Sequence, residues 1–591
     1  MRTKSIIRSI PPLYLGIICL IGLSLFSFIF FFAGRWPKAP ALLNHYTVAA
    51  PLVFICILFS LVEFCAFTAY LSEKNLPLSQ SLLALLPLAF LNLWPTDNTS
   101  LSLGIPLIII MGTQIMLLLI LAGKFPADAK SRFSLPLLLT ATVIVYSVIL
   151  GTIVSRKITS LTIFNYTDFA LYNQSFWSAA HGGLFENTKF GSNFACHNTW
   201  FYYLLLPLYR IAPYPHTLSL IKILLLASSA IPFYLIAKEI LGCKPSFFLI
   251  WSFLCFPYII SQNFTAPHEI TYAPFFLLWM YYFFCTNRFF PFLIMLLICL
   301  SIKEHIAFIS VMFGIYAWYS RKDKRWILTP IILGAIWAVF SMWVIWNFQT
   351  FYHSHTNAHW VSVSLQRRFA LGEGNIMKGI IEVIASSNIT DPASLKLASL
   401  LFIPLGIVPP FLSTICLLGL PELLLNLIGA RKEALLGPMW HYNMVVSCFL
   451  LLGTVEGIKV IALTRWAEKL NLDTKKAHYI LSVLIFSLII IHSHLWLGAA
   501  MRKENPRYLK AAYEAIALIP KDASVTAPRS LTLPLSNRKE CMIWGIGELG
   551  EYLIVDSESA LKSKFDATPH IPSYYRKIFR KNGIVVYKRE H

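Results

Sequence analysis

Ionisable side chains are scarce in this chain, and those that could carry out chemistry fall into a few short segments. The first, NYTDFALYNQSFWSAAHGG at residues 165–183, contains Asp168. Later segments are HNT from residue 197, TAPHEIT at 265–271 and IKEHIAF at 302–308. A carboxylate beside imidazole, ammonium and guanidinium groups suits group transfer from a phosphate. The carboxylate accepts the proton of an acceptor hydroxyl, and the cations stabilise the leaving phosphate.

The candidate site residues are one catalytic carboxylate and a set of polar groups that could bind substrate. The catalytic candidate is Asp168. The substrate-binding candidates are Tyr172, Gln174, His197, His268, Glu269, Lys303, Glu304, Arg367, Arg368, Arg431 and His441. Each also has an ordinary structural explanation: lone histidines are often structural, carboxylates at span ends can be surface groups, and loop arginines are solvated by default. Lys303 beside Glu304 can be a local ion pair.

Asp168 lies near the start of a predicted helix. Thr167 is a candidate N-cap, Asp168 then takes the first helical position, and His181-Gly182-Gly183 supplies a stop. Asp168, Tyr172 and Ser175 fall on one stripe, so we predict an amphipathic helix that lies on the membrane surface. An acid in the first turn also complements the helix dipole, which gives Asp168 a structural explanation beside the catalytic one.

The elements that position these residues are membrane helices. The chain has 591 residues, of which 57% are hydrophobic and 13% are charged, against roughly 25% charged in a soluble domain. Its mean hydropathy is +0.65. Many apolar runs approach the roughly 20 residues that span a bilayer. We therefore predict an all-α polytopic membrane protein with about 15 transmembrane helices.

Charge and cysteine usage exclude two other classes of protein. The net charge is +21, but the lysines and arginines are scattered through short loops, as membrane topology produces, and do not form a basic nucleic-acid-binding domain. The 11 cysteines lie mostly in apolar runs without CxxC pairs. A disulfide framework or a metal cluster is therefore not predicted.

The placement of lysine and arginine sets the predicted topology. MRTKSIIR places the N-terminus inside, and basic loops such as RKDKR at 321–325 and TRWAEKLNLDTKKAHY at 464–479 are assigned to the cytoplasm. The segment at 197–213 is short and carries two prolines, so its count as a span is optional. When successive spans alternate in direction from this inside N-terminus, the candidate site residues all fall on the outer face.

The chain divides into three predicted regions. Residues 1–133 form an N-terminal extension of four membrane helices. Residues 134–499 form the transmembrane core, with outer loops at 155–215 and 347–395. Residues 500–591 are more polar, with short alternating runs around a helix-like PRYLKAAYEAIALIP, and they indicate a small extracytoplasmic α/β domain.

Three further polar features have weaker interpretations. HSHTNAHW at 353–360 is rich in histidine but lacks the spacing of a zinc site. Glu63 lies inside the second span, where an intramembrane carboxylate is a functional hypothesis by default. Glu422 and Asn426 lie four residues apart near an outer span end, where helix packing is the simpler explanation.

Several segments together resemble a known protein family. They are TDFALYNQSFWSAAHGGLFENT, PHEITYAPFFLLWMYYFF, IKEHIAF, LPELLLNLIG and SVTAPRSLTLPLSNRKECMIWG. In this order they resemble an uncharacterised family of bacterial polytopic membrane proteins, a domain of unknown function, that is related to the GT-C glycosyltransferase superfamily. The resemblance covers residues 134 to about 590. It implies a GT-C-like core in the bacterial cytoplasmic (inner) membrane, with the C-terminal domain outside.

The resemblance also implies a reaction and a role for Asp168. GT-C enzymes use a polyprenyl-phosphate sugar donor and an essential acid in the first outer loop, and Asp168 takes that position. The second outer-loop motif falls on His268 and Glu269. This chain departs from the expected pattern with Pro-His-Glu at 267–269 and with Lys-Glu-His at 303–305. A divalent metal, Mg or Mn, would be an alternative source of positive charge at the phosphate.

The resulting hypothesis is a membrane glycosyltransferase that moves a sugar from a polyprenyl-phosphate donor to an acceptor, a glycan, lipid or protein, on the extracytoplasmic face. The cations that would neutralise the leaving phosphate are Lys303, Arg367, Arg368, Arg431 and His268. A transporter or flippase for a lipid-linked or polar solute is the alternative; it requires charged or broken helices near mid-bilayer. A non-catalytic scaffold on the same fold is the third hypothesis.

Overall fold

The part of the chain that the structure describes is a bundle of apolar helices followed by a small mixed sheet. A computed structural model describes residues 135–352, 391–428, 435–470, 472–500, 505–545, 548–556 and 571–590. The predicted four-helix extension, Glu63, the HSHTNAHW segment, Arg367, Arg368 and Arg431 lie outside these residues.

The helices, in chain order, are α1 (Leu135–Thr159), α2 (Tyr166–Ala180), α3 (Tyr202–Ile211), α4 (Pro215–Ser228), α5 (Ala230–Leu241), α6 (Cys243–Cys255), α7 (Pro257–Ile260), α8 (Ala273–Cys285), α9 (Phe289–Ile302), α10 (Ile306–Tyr319), α11 (Lys324–Phe351), α12 (Pro392–Phe402), α13 (Val408–Phe411), α14 (Leu420–Ile428), α15 (Met444–Ala462), α16 (Arg465–Lys469), α17 (Thr474–Ala500), α18 (Pro506–Ala517) and α19 (Thr532–Leu535). The strands are β1 (Glu186–Asn187), β2 (Gly191–Ser192), β3 (Val525–Ala527), β4 (Cys541–Ile543), β5 (Tyr552–Asp556), β6 (Tyr575–Lys581) and β7 (Ile584–Arg589).

Several of the described helices are long and apolar enough to cross a membrane. Five stretches qualify, and a sixth is added if α6 and the bent continuation Pro257–Phe264 form one span. The five are Leu137–Thr159, Pro215–Leu241, Lys324–Phe351, His441–Ala462 and Thr474–Ser493. A helix of 20 residues rises roughly 30 Å, the thickness of the hydrocarbon core.

The predicted total of about 15 spans is not reached within the described ranges. The optional span at 197–213 is represented by α3, which has 10 residues and is too short to cross. Lys303, Glu304 and His305 interrupt a long apolar run, which predicts a break between two spans at this point. The break is present, because α9 ends at Ile302 and α10 begins at Ile306. Three polar residues are thereby kept at a helix junction and out of a helix interior.

The turns between helices lie at two opposite ends of the bundle. At one end, the Lys322 amine between α10 and α11 donates to the Phe284 carbonyl near the end of α8 at 3.1 Å. At the other end, the Phe201 amide donates to the Ser301 carbonyl near the end of α9 at 2.9 Å. Because successive helices alternate in direction, the segments that carry the candidate residues meet at this second end.

Residues 505–590 contain a five-stranded mixed sheet in the order β4-β3-β5-β7-β6. Strand β3 lies parallel to β4 and β5, whereas β7 is antiparallel to β5 and β6. Helix α18 contributes Ala511, Ala512 and Ala515 to the apolar core of this segment. Leu161, from the link between α1 and α2, belongs to the same core, so the sheet segment is packed against the helix that carries Asp168.

Candidate functional site

Helix α2 begins two residues earlier than the sequence predicts. Its N-cap is Asn165, with φ 59° in the left-handed region, and the prediction of Thr167 as the N-cap is therefore wrong. Asparagine tolerates this conformation better than most residues. The Asn165 side chain makes no capping bond because its Nδ2 donates instead to Asp168 Oδ2 at 2.6 Å. The link before α2 thus fixes the orientation of the Asp168 carboxylate. The predicted stop is present, with His181 as the C-cap and Gly182 at φ 94°.

The prediction that α2 lies on the membrane surface is wrong. Most of the helix is buried within the protein, including the polar Asn173, Gln174 and Ser175. Asn173 Nδ2 donates to Ser536 Oγ at 2.7 Å, and Gln174 Nε2 donates to the Lys539 carbonyl at 2.9 Å. A distant part of the chain, and not water, therefore covers Asn173 and Gln174. Gln174 thereby bonds to the C-terminal segment through its Nε2, while its Oε1 accepts from the amide and the hydroxyl of Thr188 at 3.1 Å.

His268 links α2 to the turns before α8. It lies between two 3-10 turns, Ser261–Phe264 and Glu269–Tyr272. Its Nδ1 is 3.0 Å from the Tyr172 hydroxyl, and its Nε2 is 3.8 Å from Asp168 Oδ2. Tyr172 lies one helical turn after Asp168, so both side chains of α2 reach the same imidazole.

Glu269 and Lys303 form a buried pair behind His268. Lys303 Nζ lies 3.5 Å from Glu269 Oε2, and the Glu269 side chain is completely buried. The Tyr172 hydroxyl donates to the same oxygen at 3.4 Å. Burial raises the pKa of Glu269, but the positive charges of Lys303 and His197 outweigh burial and hold that pKa below its usual value. Glu269 is therefore an anion at neutral pH.

His197 and Glu304 form a second buried ion pair in the site. His197 Nδ1 is 3.0 Å from Glu304 Oε1, and the Asn198 amide donates to Glu304 Oε2 at 3.3 Å. Burial lowers the pKa of His197. The neighbouring Cys196 and Glu304 outweigh burial, and the net result is a pKa above the usual value. Burial likewise opposes the charge of Glu304, while His197 and Lys303 hold its pKa well below the usual range. Both partners are charged at neutral pH.

His268 itself is neutral. Burial lowers its pKa to about 4, against the opposing effect of Asp168 and Glu269. Its ring is stacked on the ring of His441, with centroids 3.8 Å apart and planes at 26°. Two stacked imidazoles would repel each other if both were charged. The hypothesis that His268 supplies positive charge to a leaving phosphate is therefore not supported by its surroundings.

The structure brings together eight of the twelve residues selected from the sequence. They form a continuous series that runs through five separate parts of the chain. The members are Asp168, Tyr172, His197, His268, Glu269, Lys303, Glu304 and His441. We call this set the polar cluster. A further pair, His305 Nε2 and Glu422 Oε2 at 3.6 Å, borders it.

Sequence reasoning missed Lys222 and Asn165. Lys222 Nζ donates to the carbonyls of Gln262 and Thr265 at 2.6 and 2.7 Å. The signal was present, because Lys222 is a lone charge in the apolar run LIKILLLAS of a predicted span. The role of Asn165 depends on its backbone conformation, which the sequence does not display.

The polar cluster does not fit a bound divalent metal. Glu269 is held by Lys303 and Tyr172, and Glu304 is held by His197, so neither carboxylate is directed toward a shared cation. Within the described ranges no group of three or more His, Cys, Asp or Glu side chains is arranged to hold a metal ion. We therefore assign no step to a metal.

Asp168 is the carboxylate of the cluster that a substrate can reach. Its side chain is 35% exposed, against 0% for Glu269 and 17% for Glu304. Its carboxylate is oriented by Asn165 and lies beside a neutral imidazole. An oriented, accessible carboxylate at the ends of apolar helices can accept a proton from a hydroxyl group.

Comparisons with known proteins identify a family and two similar structures. No curated protein matches the chain. The crystal structure of ArnT from Cupriavidus metallidurans in the apo state is similar to 74% of this chain and 97% of its own, at 11% identity and a TM-score of 0.41. The structure of the same protein bound to undecaprenyl phosphate is similar at 10% identity, 75% and 97% coverage and a TM-score of 0.41. These scores are too low to establish a shared fold.

The family match is more extensive. The family model described as "Predicted membrane protein (DUF2079)" matches residues 157–563. This range contains the whole polar cluster and most of the sheet segment. Because the match covers well over half of the 591 residues, the chain belongs to the DUF2079 family of membrane proteins.

Proposed function

We propose that the protein is an integral membrane glycosyltransferase that moves a sugar from a polyprenyl-phosphate donor to an acceptor hydroxyl on the extracytoplasmic face. The observation that carries this proposal is Asp168: a part-exposed carboxylate oriented by Asn165 at 2.6 Å, beside a neutral His268, where apolar helices end. The sequence resemblance to GT-C enzymes supports the same reaction and the same position for the acid.

The proposed reaction is a single displacement at the anomeric carbon of the sugar. The bond from the acceptor oxygen to that carbon forms as the bond from the carbon to the phosphate oxygen breaks. The electron pair leaves with the polyprenyl phosphate, and Asp168 takes the acceptor proton. The sugar passes through an oxocarbenium-like state, which an anionic carboxylate stabilises.

The buried part of the polar cluster holds Asp168 and His268 in place. Tyr172 bonds to His268 on one side and to the Glu269 anion on the other. Burial, with Glu269 and Asp168, raises the pKa of Tyr172 well above its usual value, so its hydroxyl keeps its proton. A neutral, fixed imidazole beside the carboxylate leaves the proton-accepting role to Asp168 without a competing cation.

The leaving phosphate requires positive charge. Lys303 and His197 are the cations of the cluster, and each already faces a carboxylate, Glu269 and Glu304 respectively. Arg367, Arg368 and Arg431 therefore remain our proposed phosphate-binding residues, together with Lys303. In this proposal Asp168 of α2 accepts the proton, and residues of the outer loops bind the phosphate.

The experiment is a transfer assay with radiolabelled polyprenyl-phosphate sugars. Membranes that contain the protein are compared with membranes of the same host without it, over a panel of donor sugars. We expect label to leave the donor and to appear in a new product only when the protein is present. Movement of intact labelled donor between leaflets, without transfer, would identify a flippase and would contradict the proposal. Neither transfer nor movement, with any donor, would identify a scaffold.

A further inference from the structure

Lys222 is a fully buried amine in the middle of an apolar span. It lies in α4, and its side chain has 0% exposure. Its Nζ donates to the carbonyl oxygens of Gln262 and Thr265 at 2.6 and 2.7 Å. A lysine inside a membrane span is unfavourable unless its polar end is satisfied. Its two short bonds to one backbone segment satisfy it.

The two acceptors belong to the segment that carries His268. The 3-10 turn Ser261–Phe264 ends just before Thr265. The Gln262 carbonyl already accepts from the Thr265 amide and hydroxyl at 3.4 and 3.1 Å, and Lys222 adds a further donor to this carbonyl and a donor to the Thr265 carbonyl. The Gln262 side chain also bonds to the Pro438 carbonyl at 2.6 Å, which ties the same turn to the segment before His441. An apolar side chain at 222 would leave buried carbonyls without the lysine donors.

Lys222 also acts on His268 through its charge. The groups that face His268 are Asp168 and Tyr172 from α2, its neighbour Glu269, Lys303 from the α9–α10 junction, Lys222 from α4 and the ring of His441. After burial, which is the largest cause, Lys303 and Lys222 lower the pKa of His268, whereas Asp168 and Glu269 raise it. Removal of Lys222 therefore removes one of the charges that keep His268 neutral.

We infer that Lys222 is a positioning residue, which holds the 262–269 segment so that His268 lies beside Asp168. This inference rests on the proposed glycosyl transfer for its effect on rate, but its effect on His268 is independent of substrate. Lys222 does not contact the reacting atoms in this role. It acts through two backbone carbonyls and through its charge.

The test compares Lys222→Met with Lys222→Arg in the full-length protein. Met removes the donors and the charge at similar length, whereas Arg keeps both. We expect K222M to lower kcat by about 100-fold with a KM change below about threefold, and K222R to restore most of the rate. The acidic limb of the pH profile of kcat should move to higher pH in K222M and not in K222R, a change that a loss of packing alone would not produce.

The His268 imidazole is observed directly by NMR of ¹⁵N-histidine-labelled protein in nanodiscs, without substrate. Its signal is assigned by comparison with His268→Gln. We expect this imidazole to titrate at higher pH in K222M than in the wild type. If K222M does not fold, Lys222→Gln, which keeps N–H donors without the charge, takes its place and should show the same displacement of the titration.

Two outcomes would overturn the inference. One is a wild-type kcat and a wild-type His268 titration in K222M. The other is a loss of kcat that K222R does not rescue while the titration stays unchanged. If the wild type transfers no sugar from any donor, the proposed function fails, and the NMR titration still decides the role of Lys222.

Discussion

Asp168 and His268 lie 3.8 Å apart but have opposite requirements for charge. Asp168 is part exposed and receives a hydrogen bond from Asn165. His268 is buried and neutral, with its pKa lowered to about 4. A charged His268 would bind the carboxylate tightly and compete with the acceptor proton. Burial of the imidazole is therefore what keeps Asp168 available.

The buried, neutral His268 makes stability depend on pH in a defined window. Its pKa is about 6.5 when unfolded and about 4 when folded. The unfolded state therefore binds more protons between these values, so stability is present above pH 6.5 and is lost as pH falls to about 4. We expect this group to contribute a loss of about 2 to 3 kcal/mol at pH 4, and His268→Gln to remove that loss. Thermal unfolding from pH 4 to pH 7 measures both; equal pH dependence in the two proteins would refute the assignment of a neutral His268.

The His197–Glu304 pair provides a second prediction at the residue scale. Each side chain is 17% exposed and the pair is 3.0 Å apart. Glu304→Gln leaves the imidazolium without its anionic partner, so we expect a destabilisation of about 3 kcal/mol near neutral pH. The raised pKa of His197 means that its contribution is fully present below pH 6.5 and is lost as pH rises, whereas the lowered pKa of Glu304 means that its contribution is present above about pH 4.5 and is lost as pH falls. Thermal unfolding measures the loss of stability in E304Q. The control is Glu514→Gln, which changes an exposed ion pair with Lys581. A loss of stability in E304Q no larger than that in E514Q would contradict the prediction.

Asp168, His268, Glu269 and Lys303 could be selected from the sequence because ionisable groups are rare in this chain and stand at the ends of apolar runs. Their mutual contacts could not be predicted, since they depend on the packing of α2 against the turn before α8. The neutral state of His268 likewise depends on burial and on six surrounding charged or aromatic groups.

The link before α2 is the element that orients the carboxylate. Asn165 combines a left-handed backbone, φ 59°, with the amide that bonds to Asp168. These two properties can be separated by substitution. Glycine keeps the backbone conformation and removes the amide, whereas valine is strained at positive φ and removes the amide as well.

We expect Asn165→Gly to keep near-wild-type thermal stability and to lower kcat about tenfold, because Asp168 loses the donor that orients it. Asn165→Val should lower kcat and also destabilise the protein by about 1 to 2 kcal/mol. Transfer kinetics and thermal unfolding of both variants are the measurements. Wild-type kcat in N165G would show that the amide does not position Asp168.

At the level of elements, the sequence predicted α2, its stop, the break at Lys303 and the apolar runs that become α1, α4 and α11. The sequence did not predict which parts of the protein surround α2. An amphipathic pattern does not show whether water or another part of the protein covers the polar face of a helix. In α2, Asn173 and Gln174 are covered by residues 536–539, more than 350 positions later.

Over the whole molecule, the sheet segment and the membrane helices are joined through α2. Asn173 Nδ2 donates to Ser536 Oγ and Asn537 Oδ1 at 2.7 and 2.6 Å, and the Tyr209 hydroxyl donates to Asn173 Oδ1 at 2.9 Å. Asn173 thus lies at the junction of α2, α3 and the C-terminal segment. The C-terminal segment therefore acts as a support for the helix that carries Asp168.

We expect Asn173→Leu to impair the protein at a distance from the polar cluster. Leucine removes the hydrogen bonds that the Asn173 side chain makes with Ser536, Asn537 and Tyr209, which costs about 2 to 3 kcal/mol. Transfer should fall in parallel, since α2 loses its support. Thermal unfolding and kcat are measured for N173L and for the control Lys581→Ala, which changes an exposed side chain. Unchanged stability and kcat in N173L would show that the sheet segment does not support α2.

The most direct measurement of the central claim is the separation of donor binding from turnover in Asp168→Asn. Asparagine keeps the size of the side chain but cannot accept the acceptor proton as a carboxylate does. The matched control is Asp473→Asn, because Asp473 is an exposed cap of α17 and asparagine caps equally well. If Asp168 is the proton acceptor, D168N will bind the polyprenyl-phosphate sugar with a Kd close to that of the wild type and will lose at least about 1,000-fold in kcat, while D473N transfers sugar normally. Wild-type kcat in D168N would contradict the account.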